Sequence, residues 1–435
     1  MKALLRGIVS RRTFASLIPD CLRWGIRLPH PSRGRQLLPP VAKLRFAFGP
    51  CAVPAFAPPE GLTAAASTER APADVESRRM FGLDVIRASA IALVLLAHTI
   101  PRKAALGLDL DAINRLRLAL GFIGVELFFV LSGFLIGGIL LREIEKGRFE
   151  SRRDLVNFWK RRWFRTLPIY LVFLALNAAV FWMENGVAPL ESWRFLTFTQ
   201  SFAQPHPEWF REAWSLSVEE WFYLLFPIAL LGLRKIWAGN SRSFIVCTLL
   251  FMCLPMAFRA VLALGDWDHG VRKITVLRLD TIMFGVGLAY LSQQRPALWK
   301  FARAAWPAGL LGTVAVVVYL AGRTPQADSM FDRIFLFTLT SFSLAALLPA
   351  ISRWSEPHAL LARPIACLSL WSYSLYLCHG LINNYLRPGL AKVCGIELGK
   401  ESLLRCIAVW IIAITVAAVL HRFVEKPMTS LREKF

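Results

Sequence analysis

Long apolar segments, separated by short polar connections, recur along the chain from residue 81 onward. Each is close to the length that crosses a bilayer as an α-helix, about 20 residues. The pattern predicts helices near 83–101, 118–141, 167–183, 214–233, 243–264, 274–292, 305–322, 332–351, 364–386 and 403–424. We therefore expect an all-α polytopic membrane protein with about ten transmembrane helices and no separate soluble domain.

Residues 1–79 do not follow this pattern. A single acid precedes Glu60, while arginines and prolines recur throughout the segment. Such a composition is typical of a transit peptide, of a disordered arm, or of a start codon assigned upstream of the real one. We expect a disordered or dispensable extension with Met80 as the candidate true start, then a transmembrane domain over 80–427 and a short cytoplasmic tail over 428–435.

The overall composition supports a membrane protein. Hydrophobic residues make up 56% of the 435 residues and charged residues only 18%, whereas soluble domains carry about 25% charged residues. The net charge of +22 does not indicate nucleic acid, because Lys and Arg cluster in short connections and in the first eighty residues, and no nucleic-acid motif is present. The eight cysteines form no CxxC pair and no zinc-like spacing, so no metal site is predicted.

The distribution of basic residues predicts an orientation. The connection 141–165 is the most basic short connection, and Lys and Arg concentrate in cytoplasmic loops. This connection is therefore expected inside the cell. With ten spans, both termini then lie on the cytoplasmic side as well.

Arg87 and His98 stand at the two ends of the apolar stretch RASAIALVLLAH. Their spacing is about three helical turns, about 16 Å, which puts both side chains on one helix face. Asp84 lies three residues before Arg87 and is close enough to pair with it. Alternatives are an arginine that extends to the membrane interface and a histidine bonded to a backbone carbonyl. Ionisable residues inside spans are rare, however, and this favours a functional role.

Several helices bring ionisable side chains to the outer part of the membrane in this topology. Imidazole titrates near neutral pH, so histidines among carboxylates indicate a site for proton transfer. A structural ion network is the alternative. The members of the predicted layer are His98, Glu126, Glu219, Glu220, Arg278, Asp280 and His379.

A basic, aromatic segment, FWKRRWFRTLPIY, begins the third span. Arg162 and Arg165 are three residues apart, so on a helix they face the same way and can hold a phosphate. The alternative is an ordinary cytoplasmic stop signal. Together with the outer layer, the pair predicts an anionic donor with a long arm, a description that coenzyme A thioesters fit.

Six motifs in order resemble those of acyltransferase family 3, the bacterial integral-membrane O-acyltransferases. They are FGLDVIRASAIALVLLAH, GVELFFVLSGFLI, RRWFRTLPIY, WSLSVEEWFYLLFP, SYSLYLCHG and FVEKP. The resemblance covers residues 81–427. One departure is Trp221, which stands where the family pattern has glutamine.

The resemblance implies transfer of an acyl group, most often acetyl, from acyl-CoA to a hydroxyl of a sugar or cell-surface polysaccharide in the bacterial inner membrane. It implies His98 as the key catalytic residue, supported by Arg87, with Arg162 and Arg165 at the donor. No permanently bound cofactor is implied. The frequent C-terminal hydrolase-like domain is absent from this sequence, so a second transfer step is expected to need another protein.

We assign the predicted site roles accordingly. His98 is the general base, with Glu219 or Glu220 orienting it or serving a second proton transfer; a covalent acyl-histidine stays open. Arg87 lines the donor path or pairs with Asp84. The residues assigned to support or to the acceptor site are Arg87, Asp84, Glu126, Asp280 and His379.

Two other functions compete with this one. A proton-coupled transporter or flippase of a glycan or small molecule would also place acids and histidines inside spans. A non-catalytic sensor or assembly partner is the third possibility. The sequence identifies neither the acceptor nor the oligomeric state.

Overall fold

The computed structural model describes residues 80–100, 110–237, 239–262, 266–326, 328–355, 359–394 and 403–431. These residues form α-helices joined by short 3-10 and π turns, and contain no strand. The predicted extension over 1–79 lies outside the described residues. The helices are α1 Phe81–Thr99, α2 Leu110–Glu145, α3 Arg152–Asn185, α4 Trp193–Leu196, α5 Ala213–Ile236, α6 Asn240–Val261, α7 Leu279–Gln294, α8 Pro296–Ala304, α9 Trp306–Gly322, α10 Leu336–Ile351, α11 Ala359–Cys394, α12 Leu403–Leu420 and α13 Lys426–Leu431.

Each of the ten predicted segments coincides with a helix, and the all-α polytopic architecture is confirmed. Among the described residues, eight helices are long and apolar enough to cross a membrane. The number is nine if α8 and α9, which meet at a 52° bend, make one span. The predicted span 274–292 is the exception, because α7 has 16 residues and falls short of the usual length of about 20.

The two ends of the bundle are called the His98 end and the Arg162 end. The His98 end holds the last turn of α1, the segment between α3 and α5, and the turns before α7. The Arg162 end holds the connection between α2 and α3. That connection is shorter than expected, because Ser151 and Asp154 form a capping box and α3 begins at Arg152. Arg162 and Arg165 are therefore helical residues.

Glycines allow α2 and α7 to pack backbone against backbone. A Cβ on Gly133 of α2 would overlap the carbonyl of Ile282, and a Cβ on Gly285 of α7 would overlap the carbonyl of Val130. Small residues permit this close approach, which drives helix association where lipid removes the hydrophobic contribution. Helices α2 and α7 thus pack backbone to backbone at these two positions.

Helix α1 lies between α2 and α11. Gly124 of α2 sits against the carbonyl of Ala90, where a Cβ would lie 2.8 Å from the oxygen. On its other side, buried Asp84 accepts a hydrogen bond of 2.6 Å from the Ser369 hydroxyl of α11. These contacts fix the rotation of α1, so that Arg87 faces the bundle interior.

Candidate active site

A cavity of about 120 Å³ opens among α1, α2, α3, α5 and α11. Helix α2 contributes mainly apolar residues together with Ser132, and the other helices contribute mainly polar side chains. The polar lining includes Arg87, Ser132, Arg162, Arg165, Glu219 and Tyr223. The site thus draws on helices that are far apart in sequence.

Three guanidinium groups line this cavity. Arg162 and Arg165 both reach it from α3, in agreement with their helical spacing, and Arg87 reaches it from α1. Arg162 lies over the ring of Tyr223, 5.6 Å from its centroid. Arginine presents a planar fork of donors that suits phosphate, and stacking on an aromatic ring holds that fork in place. The cavity is therefore suited to a phosphate-bearing ligand.

The two neighbouring glutamates point in different directions. Glu219 lines the cavity and accepts a 3.3 Å hydrogen bond from the Tyr223 hydroxyl, which in turn lies 2.6 Å from the Ser132 hydroxyl. Glu220 is buried and accepts a 2.9 Å hydrogen bond from the hydroxyl of Thr166 on α3. Glu219 thus faces the cavity, whereas Glu220 joins α5 to α3.

His98 and His379 form a pair at the His98 end. The Nδ1 atom of His98 lies 2.8 Å from the carbonyl oxygen of Val94, and that of His379 lies 2.7 Å from the carbonyl oxygen of Tyr376. A carbonyl only accepts, so each Nδ1 carries the proton and each neutral ring keeps Nε2 as a proton acceptor. Within the described part of the chain, buried Nε2 of His379 has no hydrogen-bond partner.

Tyr376 connects the cavity to the histidine pair. Its side chain lines the cavity, and its ring centroid lies 5.8 Å from that of His379. Its hydroxyl lies 2.6 Å from the Ser215 hydroxyl and 3.2 Å from the backbone carbonyl oxygen of Glu212. Tyr376 and Ser215 thus form the boundary between the two parts of the site.

The remaining predicted residues lie in ion pairs and hydrogen bonds. Glu126 pairs with Arg278, and Asp280 pairs with Arg259 through two hydrogen bonds of 2.8 and 2.7 Å. All four side chains are buried between α2, α6 and α7. This arrangement matches the structural ion network weighed as the alternative for the outer layer. An Asp84–Arg87 pair and an acceptor-site role for Glu126 or Asp280 stay predictions.

Glu212, immediately before α5, was not identified from the sequence. Its carboxylate lies against Gly380, the residue after His379. Ion pairs hold the segment before α5 that carries Glu212. In these pairs Glu208 lies 2.9 Å from Arg211 and 3.6 Å from Lys273. A signal was present, since an acid lies two residues before the motif WSLSVEEWFYLLFP.

The same ion cluster contains Asp268, in the turn before α7. Burial acts to raise the pKa of Asp268, but the neighbouring cations Arg272 and Lys273 outweigh it and hold that pKa well below its ordinary range. Asp268 therefore stays ionised and keeps Lys273 in place, with the two groups 2.8 Å apart. The segment before α5 is anchored through these charges.

The structure is that of a polytopic helical membrane protein, with an arginine-lined cavity next to a histidine pair. Over residues 80–422 the chain matches the family described as acyltransferase domain, and it belongs to that family. The resemblance drawn from the six motifs is confirmed.

Curated relatives carry more specific names. Peptidoglycan O-acetyltransferase OatA of Listeria monocytogenes is 26% identical over 332 residues, which cover 71% of this chain and 51% of OatA. O-acetyltransferase OatA of Staphylococcus aureus is 25% identical over 389 residues, covering 81% of this chain and 57% of that protein. The chain thus spans about half the length of these relatives. No solved structure matches it significantly.

Proposed function

We propose that this protein is a membrane O-acyltransferase that transfers an acyl group, acetyl in the first instance, from acyl-CoA to a hydroxyl of a cell-surface polysaccharide. The observation that carries the proposal is the three-arginine cavity joined through Tyr376 to the histidine pair. Family membership and the names of the relatives support transfer to a sugar.

The arginines are assigned to the donor. Arg162 and Arg165 bind the phosphates of acyl-CoA, and Arg87 lies further along the same cavity. The CoA pool is cytoplasmic, and the Arg162 end carries the basic connection before α3, so this end faces the cytoplasm in the inner membrane. The His98 end then faces the outside, where polysaccharide acceptors lie.

His98 is assigned as general base. Its Nε2 accepts the proton of the acceptor hydroxyl, and the hydroxyl oxygen attacks the acyl carbonyl carbon. The carbon–sulfur bond of the thioester breaks, and the CoA thiolate leaves. The Nδ1 bond to Val94 holds the ring in the tautomer that this step requires. Glu219, fixed by Tyr223, lies beside the donor arm.

The direct test is acetyl transfer by the purified protein in nanodiscs. Labelled acetyl-CoA and isolated envelope glycan are supplied, and mass spectrometry identifies the acylated product. The wild type should form an acetyl ester, whereas a His98→Ala variant should not and a His421→Gln variant should behave as wild type. Movement of a glycan across the bilayer without covalent change would instead favour a transporter.

The cellular acceptor needs a second measurement. Envelope polysaccharides from a deletion strain should lose an ester of fixed mass, and that mass identifies the acyl group. Re-expression of the wild type should restore the ester, whereas the His98→Ala variant should not. An unchanged polysaccharide profile in the deletion strain would contradict a polysaccharide acceptor.

A further inference from the structure

Glu212 is a charged side chain at the histidine pair to which the sequence assigned no role. It precedes the first residue of α5 at the His98 end. Gly380 shows where its carboxylate lies, because a Cβ on this glycine would overlap Oε1 and would lie 2.7 Å from Cδ of Glu212. The carboxylate thus fills the space that a side chain after His379 would take.

The backbone of Glu212 is held by side chains of α11 and α5. Its carbonyl oxygen lies 3.2 Å from the Tyr376 hydroxyl and 3.3 Å from the Ser215 hydroxyl; these hydroxyls are 2.6 Å apart, so one donates to the other and the second donates to the carbonyl. Tyr376, His379 and Gly380 lie within about one turn of α11. Glu212 is therefore fixed against the helix turn that carries His379, whose ring centroid is 4.9 Å from that of His98.

Charges of both signs face His98. Glu212 acts on the ring as an anion, while Arg117 of α2 acts as a cation and His379 adds to it when protonated. Arg117 is held in place by a 2.7 Å hydrogen bond to the carbonyl of Ala97. Arg211 and Glu208 are the charged neighbours of Glu212 itself. Glu212 is thus the anion that opposes these cations at the ring.

We infer that Glu212 is a positioning residue that stabilises the protonated ring of His98 during acyl transfer. The inference deepens the proposed function and rests on it. When the acceptor O–H bond breaks and an N–H bond forms at Nε2, His98 gains a positive charge. Burial raises the pKa of Glu212 and a proton on His98 lowers it, so Glu212 holds its negative charge best in that state.

The kinetic test compares Glu212→Gln, which keeps the shape and loses the charge, with Glu212→Asp, which restores the charge. Glu212→Gln should lower kcat about tenfold, the equivalent of one unit in the pKa of the base, with little change in the KM for acyl-CoA. Its acidic limb of activity should move to lower pH by about one unit. Glu212→Asp should recover part of both, and Glu191→Gln, at an exposed position between α3 and α5 that pairs with Arg194, should match wild type.

A second measurement does not depend on activity. Diethyl pyrocarbonate modifies neutral imidazole, so the pH dependence of its reaction at His98, followed by peptide mass spectrometry, reports the protonation of that ring. The midpoint should fall by about one pH unit in Glu212→Gln and stay unchanged in Glu191→Gln. An unchanged midpoint would overturn the inference, whether or not the protein transfers acetyl groups. A shifted midpoint without acetyl transfer would overturn the proposed function alone.

Gly380 offers an internal check on the geometry. Gly380→Ala should displace the carboxylate and lower the midpoint as Glu212→Gln does. In a Glu212→Ala background the space is open, so Gly380→Ala should have no further effect. Additive effects of the two substitutions would show that the carboxylate does not lie against Gly380, which would contradict the inference.

Discussion

The rings of His98 and His379 meet edge to face, with centroids 4.9 Å apart and an interplanar angle of 64°. Each ring donates from Nδ1 to a carbonyl of its own helix. In both neutral rings Nδ1 therefore carries the proton and Nε2 is the basic nitrogen. One of these rings is on α1 and the other on α11. His98 is exposed at this end of the bundle, whereas His379 is buried. The accessible ring is therefore the one expected to meet an acceptor.

Substitution of the two histidines should separate their roles. His98→Ala should lower acyl transfer about 10²–10⁴-fold, the usual contribution of a general base, while the protein stays folded in the membrane. His379→Ala should cost less, because its ring contacts His98 rather than the acceptor. Turnover with labelled acetyl-CoA checks both. Equal losses in the two variants would indicate that the histidines act as one unit.

The donor site can be tested with adjacent arginines of α3. Arg162→Ala should weaken acyl-CoA binding about 10- to 100-fold, because a charge-assisted hydrogen bond contributes about 1.5–3 kcal/mol. Arg161 is exposed on α3, so Arg161→Ala should bind as wild type does. Titration with a non-hydrolysable acyl-CoA analogue measures both affinities. Equal affinity of the two variants would remove Arg162 from the donor site.

Substitution of Glu219 should affect turnover, whereas removal of the Glu220 side chain should affect stability. Glu219→Gln should reduce turnover with little change in thermal stability, since Glu219 lines the cavity. Glu220→Gln should keep most of the activity, because an amide oxygen still accepts from Thr166, whereas Glu220→Ala should lower the unfolding temperature by removing the hydrogen bond that joins α5 to α3. Activity and unfolding in detergent are measured side by side. A stable but inactive Glu220→Gln would assign the catalytic glutamate to Glu220.

Because α2 and α7 pack closely, the effect of a glycine-to-alanine substitution on folding should depend on whether the glycine lies between these helices. Gly133→Ala should lower the yield of folded protein, because the new methyl group meets the Ile282 carbonyl and forces the helices apart. Gly232→Ala on α5 is the matched control, since nothing lies within 4 Å of its Cβ position. It should be neutral or slightly stabilising, because alanine favours helix more than glycine does. Size-exclusion profiles in detergent distinguish the two.

Local spacing in the sequence predicted the parts of the site that lie along a single helix. Helical spacing placed Arg162 and Arg165 on one face and Arg87 on the face of its helix that carries His98, the family resemblance supplied their roles, and the structure places all three arginines at one cavity. Periodicity could not assign the partners of Glu126 and Asp280, because it relates residues of one helix only. Arg278, the partner of Glu126, directly precedes α7, and Arg259, the partner of Asp280, is on α6. Glu212 was missed for the same reason, since its neighbour Gly380 is far away in sequence.

The hydroxyl bridge between Ser215 and Tyr376 has a consequence for the membrane as a whole. A polar cavity that continued to the histidines would give water and protons a continuous path through the bundle. A bacterium stores energy as a proton gradient across the membrane in which we place this protein. Tyr376 and its hydroxyl contact with Ser215 stand between the cavity and the histidines, so we expect the donor arm to displace this ring when it reaches His98, and the ring to limit ion leakage when no donor is bound.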